Sequence, residues 1–218
     1  MATPHQKLFF TAEEYLALER QADERHEYID GRIRAMAGES LAHGQISTNL
    51  VREVSLALKG SPCQAVSKDM KVRSGPEPKP KTRIAKDFFS YPDVVIFCGE
   101  PAFHDNFRDV LLNPKVIIEV LSASTEAFDR GEKFFRFRTH NDTLTDYILV
   151  AQNKPYIEHF TRQSDGAWLL SPHDESEQSF YLASIDCHLR LTEIYDRVIF
   201  PPADLNKTEE ADEGAEKH

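Results

Sequence analysis

Short runs of apolar residues mark the buried strands of this chain. The clearest run spans 115–121, where five aliphatic residues lie between Lys115 and Ser122. Similar runs occupy 91–97, with Pro92 at the entrance where no ladder hydrogen bond is lost, and 146–150. Runs this short and this apolar are typical of strands that are covered on both faces. We therefore expect these three segments to be strands of a β-sheet.

Other segments follow helical or hairpin patterns. Thr11 and Glu14 form a capping box that opens a short helix. Apolar residues at every fourth position over 43–58, followed by Gly60, predict an amphipathic helix, and Asp30-Gly31 predicts a two-residue hairpin within 26–36. The remaining predictions are strands at 64–73, 155–162 and 167–170, a helix at 129–138, a proline-containing loop at 74–82, and a strand leading into a short helix over 188–200.

This order of elements predicts an α/β fold with a mixed central β-sheet flanked by helices. No long linker divides the 218 residues, so we expect a single domain over 1–203 followed by a disordered acidic tail over 204–218. No apolar stretch approaches the ~18 residues of a membrane span, and the first residues lack the pattern of a signal peptide, which predicts a cytoplasmic protein. Cys63, Cys98 and Cys187 show no paired spacing and are expected to be reduced structural thiols.

The charge is acidic overall but unevenly distributed. A formal net charge of −10 argues against nucleic-acid binding driven by overall charge. Between Lys68 and Lys86, however, seven bases face only two acids. A solvated loop is the simpler interpretation of this stretch, and a loop that contacts phosphates is the alternative. The charge balance leaves nucleic acid open as a partner and does not establish it.

Two acids interrupt apolar strands, and they carry the chemical interest of the sequence. Glu119 lies within the run at 115–121, and Asp93 begins the run Asp-Val-Val-Ile-Phe. A buried carboxylate needs a cation, a metal or a proton, and two neighbouring carboxylates repel unless they share one of these. Mg²⁺ prefers such oxygen ligands. Either acid alone could be a strand-end residue satisfied by backbone or arginine, but the two together favour a site.

A third candidate element is the segment from Asp129 to Lys133. On a helix these two residues lie four positions apart and could form an exposed ion pair. The helix begins shortly after Glu119, so Lys133 could instead point back at the strand ends and stabilise charge there. Spacing alone does not choose between these interpretations.

Together these residues resemble the PD-(D/E)XK nuclease superfamily, with its restriction-endonuclease-like fold, and more closely the Uma-type restriction endonucleases. The resemblance covers about residues 8–200 and rests on an ordered set of positions: Glu27 before Asp30-Gly31, His43, Pro92-Asp93, Pro114, Glu119-Val-Leu-Ser122, Ser124-Thr125, Asp129, Lys133 and Asp146-Tyr147. One position departs from the superfamily pattern, because Leu121 stands where the usual lysine follows the glutamate. In related branches this lysine comes from the following helix, which makes Lys133 its substitute.

The resemblance implies hydrolysis of DNA phosphodiester bonds assisted by Mg²⁺ or Mn²⁺, by a protein expected to act as a homodimer. Asp93, Glu119 and the carbonyl of Val120 would hold the metal, and Lys133 would position or help to deprotonate a water. Glu27 would support a second metal or a bound water, unless it is a solvated hairpin acid. Of the remaining residues, His43 would contact the scissile phosphate or serve as a cap or core residue, and Asp129 would orient Lys133 or cap the helix.

Two other functions stay open at this point. A catalytically degenerate member of the superfamily would bind nucleic acid or a protein partner without cleavage, and Leu121 together with the acidic net charge favours that alternative. A metal-free glycoside hydrolase would also use two carboxylates, but it needs an open cleft between them and has no other support in the sequence.

Overall fold

The computed structural model describes residues 9–76, 86–177 and 179–201. The elements in chain order are α1 (Ala12–Glu19), β1 (His26–Ile29), β2 (Arg32–Ala35), α2 (Leu41–Ala57), β3 (Cys63–Ser67), β4 (Lys71–Ser74), β5 (Phe88–Ser90), β6 (Val94–Cys98), β7 (Val110–Leu111), β8 (Val116–Leu121), α3 (Glu126–Phe128), a π-helical turn (Asp129–Lys133), α4 (Phe134–His140), β9 (Asp146–Ala151), β10 (Tyr156–Arg162), β11 (Trp168–Asp174), β12 (Ser179–Leu182), β13 (Cys187–Arg190) and α5 (Leu191–Ile194). These elements confirm the predicted mixed α/β architecture.

A six-stranded mixed sheet organises the molecule, with the strand order β11-β10-β9-β8-β6-β3. Its two central strands, β8 and β9, run parallel and are joined by the helical segment 126–140, whereas the other neighbours in this sheet pair antiparallel. Every residue of β8 and β9 is buried. The mostly apolar pattern of both strands, interrupted by Glu119 and Asp146, follows from this position, because helices or loops cover both faces of the sheet.

The alternation of β8 divides the core into two layers. Val116, Ile118 and Val120 pack with the apolar face of α2, which includes Ile46 and Leu50. The intervening Ile117 and Leu121 pack on the opposite face, where α4 contributes Phe134 and Phe137. Because side chains alternate along a strand, Glu119 lies on the same face as Ile117 and Leu121. The sequence of β8 thus directs its acid toward the segment that carries Lys133.

A second, five-stranded sheet with the order β2-β1-β5-β4-β7 flanks this core. Helix α1 packs on it through a small cluster that contains Tyr15, Tyr28 and Phe89. The hairpin between β1 and β2 turns at Asp30-Gly31, both with positive φ, as the two-residue turn predicts. The capping box at Thr11 and Glu14 is also confirmed, since each side chain bonds the other's backbone N–H.

Two segments differ from their sequence predictions. The predicted strand 64–73 is two strands, β3 and β4, which belong to different sheets and are separated by Lys68 at φ 46°. The short strands β5, β7 and β12 were not predicted, because two to four residues carry too little periodicity to be recognised. The predicted tail 204–218 and most of the predicted loop 74–82 lie outside the described residues.

The prediction that all three cysteines are reduced is wrong for two of them. Cys63 and Cys98 are directly opposed in the ladder between β3 and β6, with Cα atoms 3.9 Å apart, and form a disulfide. Their separation of 35 positions gives no hint of this register. Cys187 is a free, buried thiol, and burial raises its pKa to about 11.

None of the helices in the described ranges is long and apolar enough to cross a membrane.

Candidate active site

Glu119 and Lys133 meet at the end of the central sheet. Lys133 Nζ lies 2.8 Å from Glu119 Oε1, and the two residues are 4% and 3% exposed. The turn that carries Lys133 is π-helical and is held by Tyr147, whose hydroxyl donates a hydrogen bond of 2.9 Å to the carbonyl of Asp129. Single π-helical turns inside α-helices often occur at functional sites. The alternative of an exposed ion pair between Asp129 and Lys133 is therefore wrong, because both are buried beside Glu119.

The ammonium of Lys133 lies among three buried acids. Besides Glu119, its Nζ lies 3.4 Å from Asp129 Oδ1 and 3.7 Å from Glu27 Oε1. Burial by itself would lower the pKa of Lys133, but the three carboxylates outweigh that cost and hold the pKa well above its ordinary value. Lys133 is therefore a cation at neutral pH. The interpretation of Glu27 as a solvated hairpin acid is also wrong, since its side chain is buried here.

The acids around Glu119 are only partly balanced by positive charge. Burial raises its pKa well above the ordinary value, and the nearby charges of Asp129 and Asp93 add to this rise, while Lys133 opposes it. Its Oε1 is buried and accepts no directed hydrogen bond in this structure, so its contact with Lys133 is a charge contact. One ammonium among these acids leaves an excess of negative charge, which a divalent cation would offset.

Asp93 occupies the residue before β6 and joins three elements. Its Oδ2 accepts a hydrogen bond of 2.7 Å from the backbone N–H of Val120, and its Oδ1 lies 2.8 Å from His43 Nε2. His43 sits in the first turn of α2, whose N-cap is Ser40. The backbone of β8, the start of α2 and the entrance of β6 therefore converge on one carboxylate. The N-cap of α2 is Ser40 and not His43, and the expected contact of His43 with the scissile phosphate stays a prediction.

A group of potential metal ligands extends this arrangement toward the surface. Ligand atoms of Glu39, His43 and Asp93 all lie within 4.8 Å of one another. Glu39 is exposed and also pairs with Lys68. The sequence pattern did not identify Glu39, because it precedes the N-cap in an irregular segment; its position four residues before His43 is the only available signal.

All seven residues proposed from the sequence line one cavity of about 290 Å³. These residues are Glu27, His43, Asp93, Glu119, Val120, Asp129 and Lys133, and Glu39 joins them in the cavity wall. Arg34 of β2 also lines it, from the position directly opposite Glu27 in the hairpin. Carboxylates and an imidazole are ligands for divalent ions, and the negative excess around Glu119 matches such an ion. The residues present therefore fit a divalent metal.

The basic stretch of the sequence has a largely structural role where it is described. Lys68 pairs with Glu39, Lys71 lies 3.1 Å from Asp109, and Arg73 lies 3.0 Å from Asp87. Residues 77–85 lie outside the described ranges, so the phosphate-contacting alternative stays a prediction for that part.

Comparison with known proteins identifies the family. The family model Uma2, described as "Putative restriction endonuclease", matches residues 12–192. The chain belongs to the Uma2 family. An uncharacterised protein of Synechocystis sp., slr1290, is 34% identical over 199 residues, which cover 91% of this chain and 97% of the relative. A second uncharacterised Synechocystis protein, sll1609, is 35% identical over 161 residues, which cover 74% of this chain and 85% of the relative.

A solved structure supports the same fold. It is described as a "putative nuclease belonging to DUF820" from Anabaena variabilis, and it matches with a TM-score of 0.68 over 87% of this chain and 99% of that one. At 17% sequence identity this likeness shows the fold. The Uma2 match and the shared fold confirm the resemblance drawn from the sequence and make this a nuclease-like protein.

Proposed function

We propose that this Uma2 protein is a metal-dependent endonuclease that hydrolyses phosphodiester bonds of DNA. The observation that carries the proposal is the ammonium of Lys133 placed 2.8 Å from Glu119, which supplies the lysine that Leu121 removes from the usual position. Buried acids with perturbed pKa values in a cavity are typical of functional sites. The family and the fold support the reaction class.

The metal would be Mg²⁺ or Mn²⁺, held by Asp93, Glu119 and the carbonyl of Val120. When bound, a divalent ion polarises a phosphate oxygen and lowers the pKa of a bound water. The group formed by Glu39, His43 and Asp93 offers an adjoining ligand set that shares Asp93. Because the two sets differ in Glu119 and Glu39, substitution of each acid distinguishes them.

The protein's own residues would position the reactants. Lys133 has a raised pKa and is therefore poorly suited to accept a proton at neutral pH. Of the two roles expected for it, orienting a water and stabilising developing negative charge fit this protonation state. Asp129 and Glu27 fix the ammonium, since both lie within 4 Å of its Nζ. His43 orients Asp93 through their 2.8 Å contact.

Arg34 is suited to hold the substrate backbone at the mouth of the cavity. It is exposed, its guanidinium lies 5.7 Å from the ring centroid of Phe128, and no carboxylate of the described residues pairs with it. Lys133, which also lines the cavity, is engaged by acids. An acidic cavity needs such a group to admit a polyanion, because the free acids would repel phosphate.

We expect the protein to act as a homodimer, because cutting both strands of a duplex takes two sites. Light scattering with and without a short duplex tests this expectation. A monomer in both conditions would restrict the protein to nicking or to single-stranded substrates.

A catalytically degenerate protein that binds DNA without cleavage is the second candidate. Leu121 at the usual lysine position and the formal net charge of −10 favour it. Plasmid incubated with Mg²⁺ or Mn²⁺, or with a chelator instead, separates the two functions. The nuclease predicts metal-dependent nicking that disappears in Glu119→Gln. Duplex binding without nicking by the wild type would support the degenerate protein.

A further inference from the structure

A second cavity, of about 620 Å³, adjoins the candidate active site. The segment after β8 forms part of the wall between them, because Leu121 and Ala123 line the second cavity while Ser122 and Ser124 line the first. Gln152 lines both cavities. The second cavity lies at the carboxyl ends of the parallel strands β8 and β9, where ligands commonly bind in α/β sheets.

Gln152 presents hydrogen-bonding groups at this boundary. Ser40 Oγ donates a hydrogen bond of 2.6 Å to Gln152 Oε1, which fixes the amide and leaves its N–H donors for another acceptor. Asn153 is the next residue in the chain and also lines the second cavity. Two neighbouring amides offer both donors and acceptors, the combination that pairs with the edge of a nucleobase.

The wall of the second cavity also contains an aromatic residue. Tyr156 lines the cavity, and Lys154 Nζ lies over the Tyr156 ring, 4.6 Å from the centroid. Lys154 is exposed and has no carboxylate partner among the described residues, so a flat ligand can displace it from the ring. Stacking on an aromatic side chain is the common means by which proteins hold an unpaired base.

The charged groups of the second cavity do not favour the binding of a phosphate. Arg130 is held by two acids of the cavity wall, with its Nε 2.9 Å from Glu126 and its Nη1 in contact with Glu158. Among the described residues that line this cavity, Lys154 is then the cation without an acid partner. A neutral, flat ligand with polar edges fits these groups better than an anion does.

We propose that the second cavity binds the unstacked base of the nucleotide next to the scissile phosphate. Tyr156 stacks on the base, and Gln152 and Asn153 bond its edge. This inference rests on the proposed function, because it takes the neighbouring cavity to hold the phosphate. Enzymes that take a base out of the stack read it in a pocket of this kind.

The test compares oligonucleotides that carry either 2-aminopurine or an abasic nucleotide at each position around the cleavage site. Binding is measured with Ca²⁺ in place of the catalytic metal, so that it can be scored without cleavage. The variant is Tyr156→Leu, which removes the aromatic face but keeps apolar volume. Tyr181→Leu is the matched control, because Tyr181 is exposed and lines neither cavity.

We expect one position at which wild-type protein changes the 2-aminopurine fluorescence, with about tenfold weaker binding by Tyr156→Leu and unchanged binding by Tyr181→Leu. At that position an abasic nucleotide should weaken wild-type binding about tenfold, and Tyr156→Leu should add no further loss. The comparison of intact and abasic oligonucleotides uses the wild-type protein alone, so it tests the proposal even if Tyr156→Leu fails to fold.

Equal effects of Tyr156→Leu on intact and abasic substrates would overturn the base site while leaving the nuclease proposal intact. Base-dependent binding without any cleavage in Mg²⁺ would overturn the nuclease proposal and support the base site. No binding of any oligonucleotide by the wild type would overturn both.

Discussion

Two buried acids on neighbouring strands of the same sheet have opposite environments. Asp146 opens β9 and is 1% exposed; its carboxylate contacts His159 Nε2 at 2.7 Å, accepts from Thr145 Oγ1 at 2.8 Å and accepts from Ser184. Glu119 near the end of β8 is 3% exposed, yet it faces other acids and has the ammonium of Lys133 as its cation. The strands run parallel, so the two acids lie toward opposite ends of the sheet.

Their pKa values diverge accordingly. Burial alone would raise the pKa of Asp146, but the hydrogen bonds from His159, Ser184 and Thr145 hold it below the ordinary value. The pKa of Glu119 is raised. An acid that the protein satisfies internally is typical of a structural role, whereas an acid left short of positive charge is available to an external cation. The comparison therefore predicts a structural role for Asp146 and a functional role for Glu119.

Replacing each acid by its amide should produce the largest difference. We expect Glu119→Gln to lower the rate of DNA cleavage about 1,000-fold, because a lost metal ligand removes several kcal/mol of transition-state stabilisation. Asp146→Asn should keep cleavage within about threefold but lose about 2 kcal/mol of unfolding free energy, since it breaks hydrogen bonds to a buried charge. Plasmid cleavage and urea unfolding of both variants test this. Similar losses of activity in the two variants would remove the distinction.

Lys133 should be more important to stability than its acid partner. Lys133→Met leaves Glu119, Asp129 and Glu27 without an ammonium, so we expect a loss of about 3 kcal/mol in unfolding free energy at neutral pH. Glu119→Gln instead relieves repulsion among acids and should stabilise the protein by about 1 kcal/mol. Urea unfolding in a chelating buffer measures both. Destabilisation by Glu119→Gln would mean that the acid is structural.

The two acids should also respond oppositely to pH. The lowered pKa of Asp146 gives stability that is present above its unfolded pKa and is lost as pH falls through the folded pKa. The raised pKa of Glu119 means that its contribution is present below the unfolded pKa and is lost as pH rises toward the folded pKa.

Unfolding free energies from pH 2 to 8 check these signs. The difference between wild type and Asp146→Asn should shrink in acid. Relative to Glu119→Gln, the wild type should become less stable as pH rises above about 4.5. If the difference in unfolding free energy between wild type and Glu119→Gln does not vary with pH, the pKa of this acid does not change on folding.

Much of this comparison can be read from the sequence, and part of it cannot. The apolar run at 115–121 predicts a buried strand and marks Glu119 as an acid that needs a partner. The spacing to Lys133 leaves an exposed ion pair with Asp129 open, and only the resemblance to the nuclease superfamily favours Lys133 as that partner. Nothing in the sequence gives the π-helical turn that aims Lys133, because the same residues suit an ordinary helix. The sequence also does not show that Cys63 and Cys98 face each other, because this depends on the register in which β3 pairs with β6.

Residues at the cavity mouth escaped prediction for a related reason. Arg34 and Glu39 lie in or beside the β1–β2 hairpin, where exposed polar residues are usual and carry no periodic signal. Only the folded arrangement brings them to the same cavity as Glu119.

The smallest predicted effect concerns the substrate side of the site. Arg34→Ala should weaken duplex binding several-fold and reduce the slope of log affinity against log salt by about one, as expected for one lost phosphate contact. Arg32→Ala is the matched control. Arg32 is exposed on the same strand, and its guanidinium lies 5.6 Å from the ring centroid of Phe9, much as that of Arg34 lies over Phe128. Unlike Arg34, Arg32 does not line the cavity. Filter binding over a range of salt measures both, and equal effects would assign the attraction to general charge.

Titration with Mn²⁺, followed by electron paramagnetic resonance, tests the central claim most directly. Wild-type protein and Asp146→Asn should bind Mn²⁺ saturably with similar affinity, and Glu119→Gln should bind it at least tenfold more weakly. Glu39→Gln in the same series distinguishes the adjoining ligand set. Absence of saturable Mn²⁺ binding, or binding unchanged by Glu119→Gln, would contradict the assignment of Glu119 as a metal ligand.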